Sequence, residues 1–221
     1  MNRRTRIKVC GLTRQQDVAA AVAAGADALG LVFYAASPRH VSSATASELI
    51  ATIPPFISTV GLFVNANQDE VAAVIAQAPL SLLQFHGDES ASECAAIAAA
   101  VNRPFIRALR VKPDMVAADL VEYELEYRAA STLCAGLLLD TFVDSYGGSG
   151  KVFDWSLIPE SIASRVVLSG GLNAQNVTDA IQQIRPHAVD VSSGVEIDKG
   201  IKDLHKIRAF INAVRVADSN R

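Results

Sequence analysis

The strongest constraint on this chain is a repeated alternation: a short apolar run followed by a helix-length stretch, eight times over. Strands are predicted over residues 7–10, 28–33, 57–64, 81–85, 105–109, 135–139, 165–168 and 188–191. Between them run alanine-rich amphipathic segments such as 69–77, 90–100 and 173–184. Near-continuous apolar runs such as Leu137-Leu138-Leu139 are what parallel strands need when both faces are covered. Eight such units in one chain of 221 residues predict an α/β fold, a single-domain (βα)8 barrel over residues 1–221. A doubly wound open sheet is the alternative, but it seldom uses eight equivalent units, and the chain has no dinucleotide fingerprint.

Punctuation fixes the direction of the units. Gly25, Pro54-Pro55, Pro79, Pro104 and Pro186 each fall shortly before a predicted strand, where a helix must stop. The segments that leave the strands are different, being rich in Gly, Ser, Asp, His and Arg. In this fold active sites form where the strands end, so those segments hold the candidate residues.

The first of them is Lys8-Val9-Cys10-Gly11-Leu12-Thr13, read as strand end, turn and Thr13 cap for a helix over 14–24. Cys10 suits a base or nucleophile where its neighbours favour the thiolate, or else a small buried apolar residue. Lys8 shares its parity, so both point into the barrel. An inward lysine needs a partner, and Asp190 on the adjoining eighth strand is the expected one.

Arg39, in the proline-stiffened loop Ser37-Pro38-Arg39, can hold a carboxylate bidentately or stand at the surface. His86 follows the fourth strand in Gln84-Phe85-His86-Gly87, placed to orient a ligand or neighbouring polar groups, or as a structural histidine. Asp140 ends the sixth strand, where partial burial favours a protonated general acid; a turn or cap aspartate is the other reading, and Asp144 is a nearby decoy.

Three later segments carry glycine and serine: Gly147-Gly148-Ser149-Gly150, Ser169-Gly170-Gly171-Leu172 opening a helix at Asn173, and Ser192-Ser193-Gly194-Val195-Glu196. Glycines let backbone amides approach an anion, serines add donors, and helix N-termini supply a favourable dipole. Phosphate sites in this fold follow strands seven and eight, so Gly148, Gly170, Gly171, Ser192, Ser193 and Gly194 are the predicted phosphate contacts. Glu196 is expected to belong to the loop framework.

Composition narrows the partners. A formal charge of −3 gives no electrostatic case for nucleic acid or an anionic membrane, and the basic residues near the N-terminus read as a solvated end. Cysteines 10, 94 and 134 are odd in number and lack metal or redox spacing, which points to no metal and to a reducing cytoplasm. No leader pattern and no apolar run of spanning length are present. The expected partner is a small phosphorylated molecule. Oligomeric state has no reading in the sequence.

Taken together and in order, these motifs resemble the phosphoribosylanthranilate isomerase family, from residue 7 to about residue 210. The resemblance implies a (βα)8 barrel enzyme of tryptophan biosynthesis with no cofactor, and the length points to a free-standing enzyme rather than one half of a fused polypeptide. Its reaction would be the Amadori rearrangement of N-(5-phosphoribosyl)anthranilate to 1-(2-carboxyphenylamino)-1-deoxyribulose 5-phosphate. It assigns the general base to Cys10, the general acid to Asp140, the anthranilate end to Arg39 and the phosphate to the glycine loops; His86 and Asp190 are read from the residues as further substrate contacts. Another sugar-phosphate barrel enzyme would call for a metal cluster, or a lysine acting as the general acid, at the strand ends. A non-catalytic barrel that binds a phosphometabolite would need no activated thiol, so rapid alkylation of Cys10 relative to Cys94 and Cys134 separates the two.

Overall fold

The structure, a computed structural model, describes residues 4–141 and 152–219. Eight parallel strands pair in chain order and close: β1 (Arg6–Cys10), β2 (Ala28–Val32), β3 (Ser58–Phe63), β4 (Leu82–Phe85), β5 (Phe105–Val111), β6 (Cys134–Thr141), β7 (Val166–Leu168) and β8 (Ala188–Val191). The closure is the pairing of β8 with β1, which sets Lys8 opposite Asp190. Around the barrel run α1 (Gln15–Ala24), α2 (Ser43–Ile50), α3 (Gln68–Gln77), α4 (Ala91–Val101), α5 (Ala117–Ala130), α6 (Glu160–Ala163), α7 (Val177–Ile184) and α8 (Leu204–Ser219). None of the described helices is long and apolar enough to cross a membrane.

The pleat divides each strand's residues between two environments. Ile7, Val9, Leu29, Leu31, Phe63, Leu83, Phe85, Leu137, Leu139 and Val189 face the helices and form the main core. Each such side chain, fully buried, contributes roughly 1.5–3 kcal/mol. Phe85 and Phe105 meet edge to face there, with ring centroids 5.6 Å apart. On the inner side Ile106, Ala108 and Leu138 pack with Leu82 and Val167 as a small apolar plug. Above it the strands turn polar at the same inward parity, with Lys8, Cys10, Gln84 and Asp190 all buried.

Helix starts follow side-chain chemistry. Asn67 and Ser90 accept from the backbone N–H groups of Glu70 and Glu93, whose carboxylates accept in return from the cap N–H groups. Two expected starts are corrected. Thr13 does not cap α1, because its hydroxyl donates to Gly200 O at 2.6 Å; Arg14 precedes the helix without a side-chain cap bond. Regular helix α7 begins at Val177 rather than Asn173. The Asn173 side chain accepts from the N–H groups of Gln175 and Asn176, while Asn176 accepts from Asn173 N, and this reciprocal turn replaces the first helical turn.

Three further differences bear on the site. Strand β6 runs through Asp140 to Thr141, so the carboxylate sits in the strand, in register with Arg110 of β5. A hairpin of β9 (Glu196–Asp198) and β10 (Ile201–Lys202) lies after β8, where no strand was expected. Arg4 and Arg6, read as part of a solvated end, both pair with Asp27. Residues 142–151, which include Asp144 and Gly148, lie outside the described residues, as do Asn2 and Arg3.

Candidate active site

A cavity open to solvent occupies the barrel mouth at the C-terminal ends of the strands. Cys10, Arg39, His86, Asp140 and Asp190 all border it, and so do Gly170, Gly171, Ser192 and Ser193. Gly194 does not. A Cβ at that position would collide with Leu172 O, so this glycine lets the turn after β8 pack against the turn after β7.

Cys10 is the last residue of β1 and is 4% exposed. Its neighbour in the sheet is Gly30, where a Cβ would stand 2.6 Å from the sulfur; a glycine there is what gives the thiol room. Below it Lys8 Nζ donates to Asp190 Oδ1 at 2.9 Å, the pair expected from parity and barrel closure. Asp190 Oδ2 accepts from Ser169 Oγ at 3.3 Å, so both oxygens of the expected substrate contact already have protein partners. Burial raises the Cys10 pKa, and the Asp190 charge adds to this, while the Lys8 and Lys202 charges pull it down. Burial prevails. Burial therefore favours the protonated form of the thiol.

Asp140 stands on β6, across the mouth from β1. Its Oδ1 accepts from Thr141 N at 2.8 Å, and Oδ2 lies 3.2 Å from His86 Nε2. The polar group that His86 orients is thus Asp140 itself. The histidine loop is braced by Glu89, whose two oxygens accept from Asn65 N and Gly87 N and which pairs at 3.0 Å with Arg107, both buried.

Arg39 has a carboxylate partner within the protein. Its Nε and Nη2 donate to the two oxygens of Glu196 at 2.8 and 2.7 Å, so the bidentate carboxylate is the protein's own. A guanidinium 7% exposed needs such a partner, and Glu196 is the framework residue expected. The same carboxylate accepts from Lys202 Nζ at 2.7 Å, and that ammonium also donates to Ser192 O and Ser192 Oγ, each at 3.2 Å. Ammonium groups only donate, so Ser192 Oγ accepts there and its own proton is free to be donated elsewhere. Lys202 was missed in the sequence, although the Asp198-Lys199-Gly200 turn between short alternating runs is a hairpin signal.

After β7, Gly170 and Gly171 have φ of 82° and 65°. Two successive left-handed residues are tolerable only for glycine, and they turn the backbone along the rim beside Ser169. With the regular helix delayed to Val177, the anion-binding potential of this turn rests on its amides more than on a helix dipole.

The family model described as N-(5'phosphoribosyl)anthranilate (PRA) isomerase matches residues 7–213 of this chain. A protein of Herminiimonas arsenicoxydans named N-(5'-phosphoribosyl)anthranilate isomerase is 73% identical over 219 residues, covering 99% of this chain and 96% of its own length. The crystal structure of phosphoribosyl anthranilate isomerase from Thermotoga maritima is similar with a TM-score of 0.84 at 41% identity, covering 96% of this chain and 99% of that one. A further similar structure is a phosphoribosyl anthranilate isomerase in complex with reduced 1-(o-carboxyphenylamino)-1-deoxyribulose 5-phosphate, with a TM-score of 0.81, 39% identity and the same coverage of 96% and 99%.

Proposed function

This chain belongs to the N-(5'-phosphoribosyl)anthranilate isomerase family, and from that premise we propose that Cys10 and Asp140 are the base and acid of its Amadori rearrangement. The reaction opens the ribose ring of N-(5'-phosphoribosyl)anthranilate and carries it to the aminoketose, a step of tryptophan biosynthesis. One observation carries the assignment: the sulfur and the carboxyl open onto a single cavity from β1 and β6, with the Gly170-Gly171 and Ser192-Ser193 turns on the same rim.

The chemistry follows from those positions. A proton passes from the Asp140 carboxyl to the ring oxygen, and the bond from that oxygen to C1′ breaks with its electron pair going to oxygen. The resulting protonated Schiff base acidifies the hydrogen on C2′. The Cys10 thiolate takes that proton, and the electron pair forms the C1′–C2′ double bond of an enolamine. Moving one proton from the C2′ hydroxyl to C1′ then gives the ketone, and loss of the sulfur's proton with reprotonation of the carboxyl resets the pair. Phosphate held by the amides of Gly170 and Gly171 and the hydroxyls of Ser192 and Ser193 fixes the sugar, so binding energy serves orientation. Gly148 is assigned to the same anchor from its sequence position. The three cysteines are free, which supports a reducing, cytoplasmic setting.

The test is turnover of the phosphoribosyl substrate, followed by chromatographic appearance of the ketose. Cys10→Ala and Asp140→Asn are each expected to lower kcat by orders of magnitude with smaller changes in KM. Near-normal turnover in either variant removes that residue from the mechanism.

A further inference from the structure

One buried polar side chain is used neither by the anchor turns nor by the acid and base. Gln84 points into the barrel one inward position below His86 and is wholly excluded from solvent. Its Nε2 lies 2.9 Å from His86 Nδ1, while its Oε1 is buried without a hydrogen-bond partner among the described residues. An amide that leaves half its bonding capacity unmet inside an otherwise apolar strand weakens the fold relative to a leucine. Its use must lie in what the other half does.

That half faces the acid. Neutral imidazole has one donor and one acceptor nitrogen, and a bond made at one decides the role of the other. With the Gln84 NH2 group donating to Nδ1, the ring proton resides on Nε2. This is the nitrogen that stands 3.2 Å from Asp140 Oδ2. Oδ1 of the same carboxyl is already held by Thr141 N.

We propose that Gln84 is a positioning residue for the acid step, fixing the Nε2–H tautomer of His86 so that Asp140 must point its proton into the cavity. An Nε2–H group can only donate to Oδ2. A proton on that carboxyl therefore has no acceptor on the His86 side and is directed at the substrate's ring oxygen. Once the proton has left, the same Nε2–H donates to the carboxylate that remains. The opposite tautomer would reverse both effects: an Nε2 lone pair would draw the carboxyl proton to the histidine and then repel the carboxylate. The inference rests on Asp140 being the acid.

Two measurements test it on the purified enzyme. In the wild-type protein, 15N resonances of the His86 ring are expected to report the Nε2–H tautomer, and Gln84→Glu, whose carboxylate accepts at Nδ1, is expected to move the proton to Nδ1. With that shift kcat should fall about a hundredfold and KM less than about threefold. Gln84→Met, which keeps the volume and gives no bias, should fall between the two. An Nδ1–H tautomer in the wild type, or Gln84→Met with wild-type kcat, overturns the proposal. Asp140→Asn run alongside separates the two ideas: near-normal activity there removes the acid assignment, whereas an inactive Asp140→Asn beside an unimpaired Gln84→Met removes Gln84 alone.

Discussion

The Lys8 ammonium and the Asp190 carboxylate meet at 2.9 Å one inward position below Cys10, joining the first strand of the barrel to the last. Both are almost fully buried, so each is the other's main compensation for lost water. Lys8→Met strands the carboxylate and removes a charge that pulls the Cys10 thiol toward ionisation. The variant should lose about 3–5 kcal/mol of stability in urea titrations. The activity it retains should need a higher pH than the wild type, and a wild-type midpoint would count against the pairing.

The direction of the Cys10 shift fixes a pH dependence. The proposed base works as a thiolate, and burial holds the Cys10 pKa above the ordinary value of about 8.5. Hence kcat/KM should still be rising past about pH 8.5. Alkylation of Cys10 should climb over the same range, with Cys94 lagging because burial pushes its pKa up to about 12. A profile that is flat from neutral pH upward would show a thiol already ionised.

The same two thiols make the fold sensitive to alkali. Each holds its proton more tightly folded than unfolded, so their stabilising contribution is complete below about pH 8.5. It is lost as pH rises toward the folded values, about 12 for Cys94. Melting temperature should fall across that window, and Cys94→Ala should flatten the fall. An unchanged slope in that variant would assign the alkaline loss to other groups.

Lys202 is expected to act on substrate capture. With Lys202→Met the Ser192 hydroxyl loses the donor that turns its proton outward, and Glu196 keeps Arg39 and the Gly200 N–H. KM should rise about tenfold, equivalent to ~1.4 kcal/mol, with kcat changed far less. Isothermal titration with inorganic phosphate should show a parallel weakening. A variant with wild-type KM would detach Lys202 from the anchor.

Much of this was readable before any coordinates, and the reason is periodicity. Strand parity sends Lys8 and Cys10 inward, and closure of an eight-stranded barrel brings β8 beside β1, so the Lys8–Asp190 pair follows from counting alone. Cys10 and Asp140 are legible as polar ends of apolar strands. Parity gives a direction, however, and not a partner. Arg39 finds Glu196, 157 positions away, through a hairpin that eight equivalent units do not include. Gln84 looked like part of a strand, and its bond to His86 depends on side-chain reach between two inward positions of one strand. The start of α7 was missed because two asparagines bond to each other across a turn.

The division of each strand between its two faces has a consequence for how this molecule can change. Side chains that meet the helices set how firmly it holds together, while their immediate neighbours in sequence set what happens to the ligand. Replacements on the ligand side can accumulate at little expense to the framework, apart from buried ion pairs such as Lys8–Asp190. A laboratory seeking a new substrate would do well to randomise alternate codons, leaving Val9, Phe85, Leu139 and Val191 as they are.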